Sequence, residues 1–462
     1  MNDPVEQYFL YPPNGTPKFT VAAPLSSDRG YFRVGPNLVC YGKTSAGYRY
    51  QTTDESLYDA ADDVVFKGNS IELPFDPAEV ITNLTYELYV EHHATHPSKL
   101  LRQAYYSLRP MLPIALRSPL QRRYFARRKK ASFPAWPVDT TVDDLMNKLL
   151  LLGLKSAGVR ALPFIWFWPD GASACSIMTH DVETEAGKEF CSELMDVDEE
   201  FGIPASFQIV PERRYDVTAY FINSLKKRDF EVNLQDLNHD GHLFSNYREF
   251  SKRVQRINNY GRDFDVSGFR SAILYRRQEW FGLLDFEYDM SVPNTAHYDP
   301  QPGGCCTVMP YFIGKILELP LTTSQDYTVF HYLKSYSLNL WRNQIGSILA
   351  KHGLISFIFH PDYLADRRAL NVYRDLLAEL GELRSTKAVW ITHPREVNRW
   401  WRNRAAMRLA FRDGEWVIEG PDKDRARVAF ASLVDGRIVY TIPEPSCSLV
   451  SGALKQEKGK AQ

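Results

Sequence analysis

Four short clusters in this sequence place acids, imidazoles and a guanidinium at the ends of β-prone runs. They are Thr179-His180-Asp181-Val182-Glu183-Thr184, Gln235-Asp236-Leu237-Asn238-His239-Asp240-Gly241-His242, Gly268-Phe269-Arg270-Ser271 and Phe359-His360-Pro361-Asp362-Tyr363. These side-chain types exchange protons and fix charge, which is the chemistry of hydrolysis. They can cooperate only if distant segments meet at one mouth.

The elements that would bring them together are readable from residue 174 onward, where β-prone and helical runs alternate. Strands are expected at 174–179, 205–210, 230–234, 266–269, 288–290, 317–319, 354–359 and 388–391, and helices at 188–201, 218–228, 247–260, 332–351 and 366–380. Such alternation marks βα units around a mainly parallel sheet, and seven or eight of them fit a (β/α) barrel better than an open sheet. In a barrel the active site lies where strands end, and that is where the four clusters fall. The flanks differ. Short β-prone runs at 18–22, 31–41 and 71–73 indicate a β-rich accessory region, and runs at 407–411, 416–418, 426–430 and 438–441 a small β-rich C-terminal module. The division read from the sequence is a β-rich region at 1–95, a basic helical connector at 96–170, the barrel at 171–403, the C-terminal module at 404–454 and a tail at 455–462.

The order and spacing of the clusters resemble the polysaccharide deacetylase superfamily, metal-dependent enzymes that remove acetyl groups from glycans. Thr179 to Glu183 is similar to an Asp-x-Asp first motif, Gln235 to His239 matches a His-x-x-x-His spacing, Gly268-Phe269-Arg270-Ser271 carries the arginine, and Ile358-Phe359-His360 is similar to a Leu-x-His strand end. The resemblance spans about 175–363. It implies an α/β fold built on a distorted (β/α)7–8 barrel. It also implies Asp181 as general base, Arg270 as the group that orients this base and keeps it ionised, and His360 as general acid, with Asp362 as a neighbour of the imidazole. The metal positions would be Glu183, Gln235 and His239, holding a divalent metal, zinc or another transition metal. A glutamate and a glutamine in place of aspartate and histidine imply weaker or absent binding, a different cation, or recruitment of His180 or His242. On a regular strand His180 and Asp181 face opposite ways, which leaves His242 the better substitute. The resemblance thus implies a hydrolase acting on an acetylated sugar or glycan intermediate. The alternatives are a catalytically impaired carbohydrate-binding or assembly protein and a metal-independent hydrolase using Asp181 and His360 directly.

Composition sets the outer bounds. The chain has 462 residues, 44% hydrophobic and 24% charged, with 28 prolines and 26 glycines, which excludes a disordered, collagenous or coiled-coil protein. A net charge of −1 gives no global reason to expect nucleic acid. Six irregularly spaced cysteines, and an opening segment with neither a basic nor an apolar stretch, are read as a cytoplasmic protein. The exception to the balanced charge is the stretch Lys99 to Lys130, with ten Lys or Arg and no acid. It is read either as a solvated face or as a peripheral contact at the inner membrane face that holds a lipid- or nucleotide-linked carbohydrate. Trp166, Trp168, Trp280, Trp400 and Trp401 are candidates for stacking on sugars, with Trp400-Trp401 assigned to burial. The acidic run Glu193 to Glu200 is assigned to a solvated helix face, and Cys305-Cys306 to packing.

Overall fold

The computed structural model describes residues 4–90 and 133–443, apart from 13, 14, 17, 48–51, 54, 55, 69 and 387. The basic stretch at 99–130, Cys447 and the tail lie outside the described residues. From Ala174 the strands are β1 (Ala174–Val182), β2 (Ala205–Ile209), β3 (Glu231–Gln235), β4 (Gly268–Arg270), β5 (Tyr288–Asp289), β6 (Ile316–Glu318), β7 (Leu354–Phe359) and β8 (Val389–Ile391). Their pairing is parallel throughout, in the spatial order β6-β5-β4-β3-β2-β1-β7, with β8 on the first residues of β1. An additional edge strand, Tyr311–Ile313, runs antiparallel to β6. Thr322 Oγ1 donates to Leu354 O at 2.7 Å and Thr323 N to Ser356 O at 3.3 Å. The residues after β6 therefore lie along β7, and the sheet curls round as a distorted α/β barrel.

Both faces of this sheet are covered, which is why β1 is buried along its whole length and reads as a nearly continuous β-prone run. The outer layer includes α1 (Glu185–Glu200), α2 (Ala219–Lys227), α3 (Tyr247–Asp263), α4 (Asn339–Leu349) and α5 (Arg367–Ser385). Side-chain caps fix where several of them start: Thr184, Thr218 and Asn246 accept from Gly187 N, Phe221 N and Glu249 N at 3.0, 3.1 and 2.9 Å. The single helix expected at 332–351 is instead a π-helical turn, Tyr327–Tyr332, followed by α4. Lys334, in the left-handed region at φ 53°, breaks the run between them.

The flanking regions do not stand apart from the barrel. Strand Ala161–Ile165, within the expected connector, pairs antiparallel with Val428–Val434, which also pairs with Arg437–Thr441. One hydrophobic cluster takes in Phe9, Tyr41, Leu73, Leu149, Trp168, Tyr288, Trp400 and Ala429. Hairpins this short cannot bury a core of their own, so they share one with their neighbours. Trp400 and Trp401 are buried, as assigned; Trp166 and Trp168 are buried too, which does not fit stacking on sugars, and Trp280 is half-buried against Phe244 and Phe250. Cys305 and Cys306 are buried free thiols. Among the described residues no helix is long and apolar enough to cross a membrane.

Candidate active site

Alternation along β1 decides which side chains meet. Thr179 and Asp181 face one side, His180 and Val182 the other, and Glu183 follows at the strand end. His180 points to the outer layer, where its Nε2 lies 2.9 Å from Asp198 Oδ2 of α1, both side chains fully buried. Asp198 is thus an exception to the solvated acidic face expected of this helix. His180 is not a substitute ligand.

On the inner side, Arg270 at the end of β4 donates through Nη1 to Asp181 Oδ1 at 2.6 Å and to Thr179 Oγ1 at 2.8 Å. Its Nε donates to Met290 O at 3.1 Å, which locks the guanidinium plane. Gln235, at the end of β3, donates through Nε2 to Asp181 Oδ2 at 3.1 Å and Glu183 Oε1 at 3.0 Å. Glu183 Oε1 also has His239 Nε2 at 2.7 Å and His360 Nε2 at 3.5 Å. Asp181, Glu183 and His360 each bring one ligand-type atom within 4.8 Å of the others. These five residues from three strand ends therefore converge, and Arg270 from a fourth backs Asp181.

The loop after β3 carries His239 to this point. Asp236 and His239 both adopt left-handed backbone, at φ 51° and 55°, conformations that cost non-glycine residues of order 1–3 kcal/mol. The loop is held by its own side chains: Asn238 Oδ1 accepts from Asp240 N at 3.2 Å, and Asp240 Oδ1 accepts from His242 N at 2.9 Å and Arg253 Nη1 at 2.7 Å. His242 is exposed and is not among the residues whose ligand atoms gather with Glu183.

The imidazole of His360 has a partner that the sequence did not indicate. Asp326 Oδ1 lies 2.7 Å from His360 Nδ1, and its Oδ2 accepts from His360 N at 2.6 Å. Asp362, the expected neighbour, has no such bond; it is half-buried on the short helix that follows β7. Asp326 lies on the segment after β6, where the rule that βα loops carry active-site groups is the one signal by which the sequence reading could have found it.

Burial shapes the charges. It pushes the Asp181 carboxyl up, and Arg270 and His360 only partly offset this. The Arg270 charge and its hydrogen bond act toward the ionised carboxylate, and burial outweighs them. Burial also works against a charged His360, yet Asp326 and Glu183 raise its pKa well above the usual imidazole value. For Glu183 burial acts upward, but His239 and His360 draw it well below the ordinary carboxylate range. His239 is raised on balance by Glu183 and Asp236 against the effect of burial. In this compact centre Gln235 Oε1 and Arg270 Nη2 are buried without a hydrogen-bond partner, and the 2.7 Å contact of His239 Nε2 with Glu183 is not aligned as a hydrogen bond.

No family model and no curated protein matches this chain. Among solved structures, a protein of Mycobacterium smegmatis assigned as a polysaccharide deacetylase is similar at 17% identity and a TM-score of 0.42, over 52% of this chain and 93% of its own. One from Pseudomonas aeruginosa PAO1, assigned likewise, gives 11% and 0.41 over 51% and 93%. Puue allantoinase gives 12% and 0.40 over 51% and 92%. The likeness is thus to deacetylase-type structures and an allantoinase, over about half of the chain.

Proposed function

We propose that this protein is a hydrolase that removes acetyl groups from an acetylated sugar or glycan intermediate, with Asp181 as general base and His360 as general acid. One observation carries this reading. A buried carboxylate and a buried imidazole sit within 4.8 Å of each other's ligand atoms at one barrel mouth, each fixed by its own charged partner. Asp181 accepts the proton of the attacking water as its oxygen bonds to the acetyl carbon. His360 Nδ1 is engaged by Asp326, so Nε2 is the atom that faces the site and gives its proton to the departing amine or alkoxide when the carbon–heteroatom bond breaks. The products are acetate and the free sugar amine or hydroxyl.

Glu183, Gln235 and His239 would hold a divalent cation, zinc or another transition metal. The donor types suit one: a carboxylate, an imidazole and the amide oxygen Gln235 Oε1, which is buried without a hydrogen-bond partner. Such an ion supplies an electrophile for the carbonyl and makes water a better nucleophile. The ten basic residues between Lys99 and Lys130 support a lipid- or nucleotide-linked substrate met at the inner membrane face in the cytoplasm.

A second reading has its own observation. The Gln235 amide nitrogen bridges both carboxylates, at 3.1 and 3.0 Å, and so takes the position between them without a full positive charge. This favours a protein that binds glycan and does not hydrolyse it. Acetate release from N-acetylglucosamine oligomers, before and after chelation and with zinc, cobalt or manganese restored, separates the two. Release that is lost on chelation, returns with metal and falls at least about 100-fold in Asp181→Asn and His360→Gln supports the hydrolase. Glycan binding with no release under any cation leaves the binding protein.

A further inference from the structure

Beside His360 the side chains change from charged to aromatic. The Tyr363 ring is 4.8 Å from His360, centroid to centroid, and the Tyr327 ring is 6.0 Å from Tyr363. Tyr327 opens the π-helical turn that Tyr332 closes, and π-helical turns are frequent at functional sites. The Tyr332 ring lies 4.9 Å from Tyr298, and Tyr298 lies 5.7 Å from Trp136, edge to face at 84°. The four tyrosines are half-buried and Trp136 is 41% exposed, in contrast to the buried tryptophans of the core.

Trp136 and Tyr298 line a cleft, open to solvent, between the loops that follow β5 and β6. Thr295, Thr323, Ser324 and Gln325 give its wall hydroxyl and amide groups, and Gln325 leads directly into Asp326, the partner of His360. No lysine or arginine lines it, and its ionisable residues are His297 and Asp299. The Asp299 carboxylate opposes a phosphate, whereas aromatic faces and edges beside hydroxyl and amide groups suit the C–H faces and hydroxyls of uncharged sugars.

We infer that the aromatic rings from Tyr363 to Trp136 form a glycan-binding track, so that the sugar part of the substrate is an uncharged oligosaccharide held over several rings, with its far end in the Trp136 cleft. This rests on the sugar deacetylase reading for the identity of the substrate, but the track can be tested without turnover. The probes are N-acetylglucosamine and its oligomers of two to six units, titrated calorimetrically into the full-length protein. Wild type is expected to bind the longer oligomers at least about 10-fold more tightly than the monosaccharide, and Trp136→Ala and Tyr298→Ala to lose most of that gain. Tyr220→Ala, at an 84% exposed tyrosine away from the track, should bind as wild type. Trp136→Phe, which keeps a ring, should retain most of the gain, and it stands in if Trp136→Ala does not fold. Affinity that is the same at every length, or alanine variants that match wild type, overturns the track. Length-dependent binding without acetate release sinks the deacetylase reading and leaves the track standing, whereas release with no length dependence sinks the track alone.

Discussion

Asp181 and Arg270 meet at 2.6 Å with the guanidinium wholly enclosed, so neither charge has water to fall back on. Removing one partner of such a pair strands the other. Arg270→Leu is therefore expected to cost about 3–5 kcal/mol in urea unfolding. Adding Asp181→Asn should recover a large part of that, because the stranded charge is gone; equal stability of the single and double variants would show that the pair is not coupled. The same pairing explains what sequence could and could not reveal. Asp181, Arg270 and His360 are legible because each sits at the end of a β-prone run, where a polar residue is out of place unless something uses it. Asp326 is not, because it follows Thr322-Thr323-Ser324-Gln325 and reads as one more polar loop residue. Trp136 is not either, since it belongs to the segment before the barrel and reaches the cleft only through tertiary packing.

Of the strands that deliver these side chains, β4 is short, three residues, and closely packed on both sides. A Cβ on Gly268 would come within 2.4 Å of both Asn233 Oδ1 in β3 and the Tyr288 ring in β5. The site is closed from both sides, since Gly268 N donates to Asn233 Oδ1 at 3.0 Å and Tyr288 OH to the same oxygen at 2.8 Å. Gly268→Ala must spread β3 from β5, at an expected cost of about 1–3 kcal/mol. Because Arg270 is two residues on, acetate release per folded molecule should also fall, with folded fraction taken from the thermal melt. A variant that melts and turns over like wild type would show that the sheet yields there. Strand positions were readable because β-prone runs between helical ones are a local property of the chain. The break between Tyr332 and α4 was not, because a left-handed lysine leaves no mark on residue type.

Over the whole molecule, the joins between regions were the least legible part, since pairing Ala161–Ile165 with Val428–Val434 leaves no trace in local periodicity. Asp143, in the helix Thr141–Ala157, makes another such join. Its Oδ1 accepts from Thr307 Oγ1 at 2.8 Å and Tyr8 OH at 3.3 Å, and its Oδ2 from Val308 N at 3.0 Å, which ties the helix Pro4–Phe9 and the barrel to the helix between them. Burial pushes its carboxyl up to about 7, the bonds from Val308 and Thr307 offsetting only part of that. The folded protein thus keeps this proton up to about pH 7, whereas the unfolded chain releases it near about pH 4. Between those values the native state binds more protons than the unfolded one, so the contribution of Asp143 to stability declines as pH rises. Asp289, raised to about 6 by burial, acts in the same sense over part of the window. Asp143→Asn cannot lose a proton and should flatten the decline without abolishing it. In urea titrations at about pH 5 and pH 7.5, bracketing most of that window, the wild-type midpoint should drop further than that of the variant. Equal drops would mean that Asp143 is already ionised in the fold and that its three donors, not a retained proton, hold the regions together.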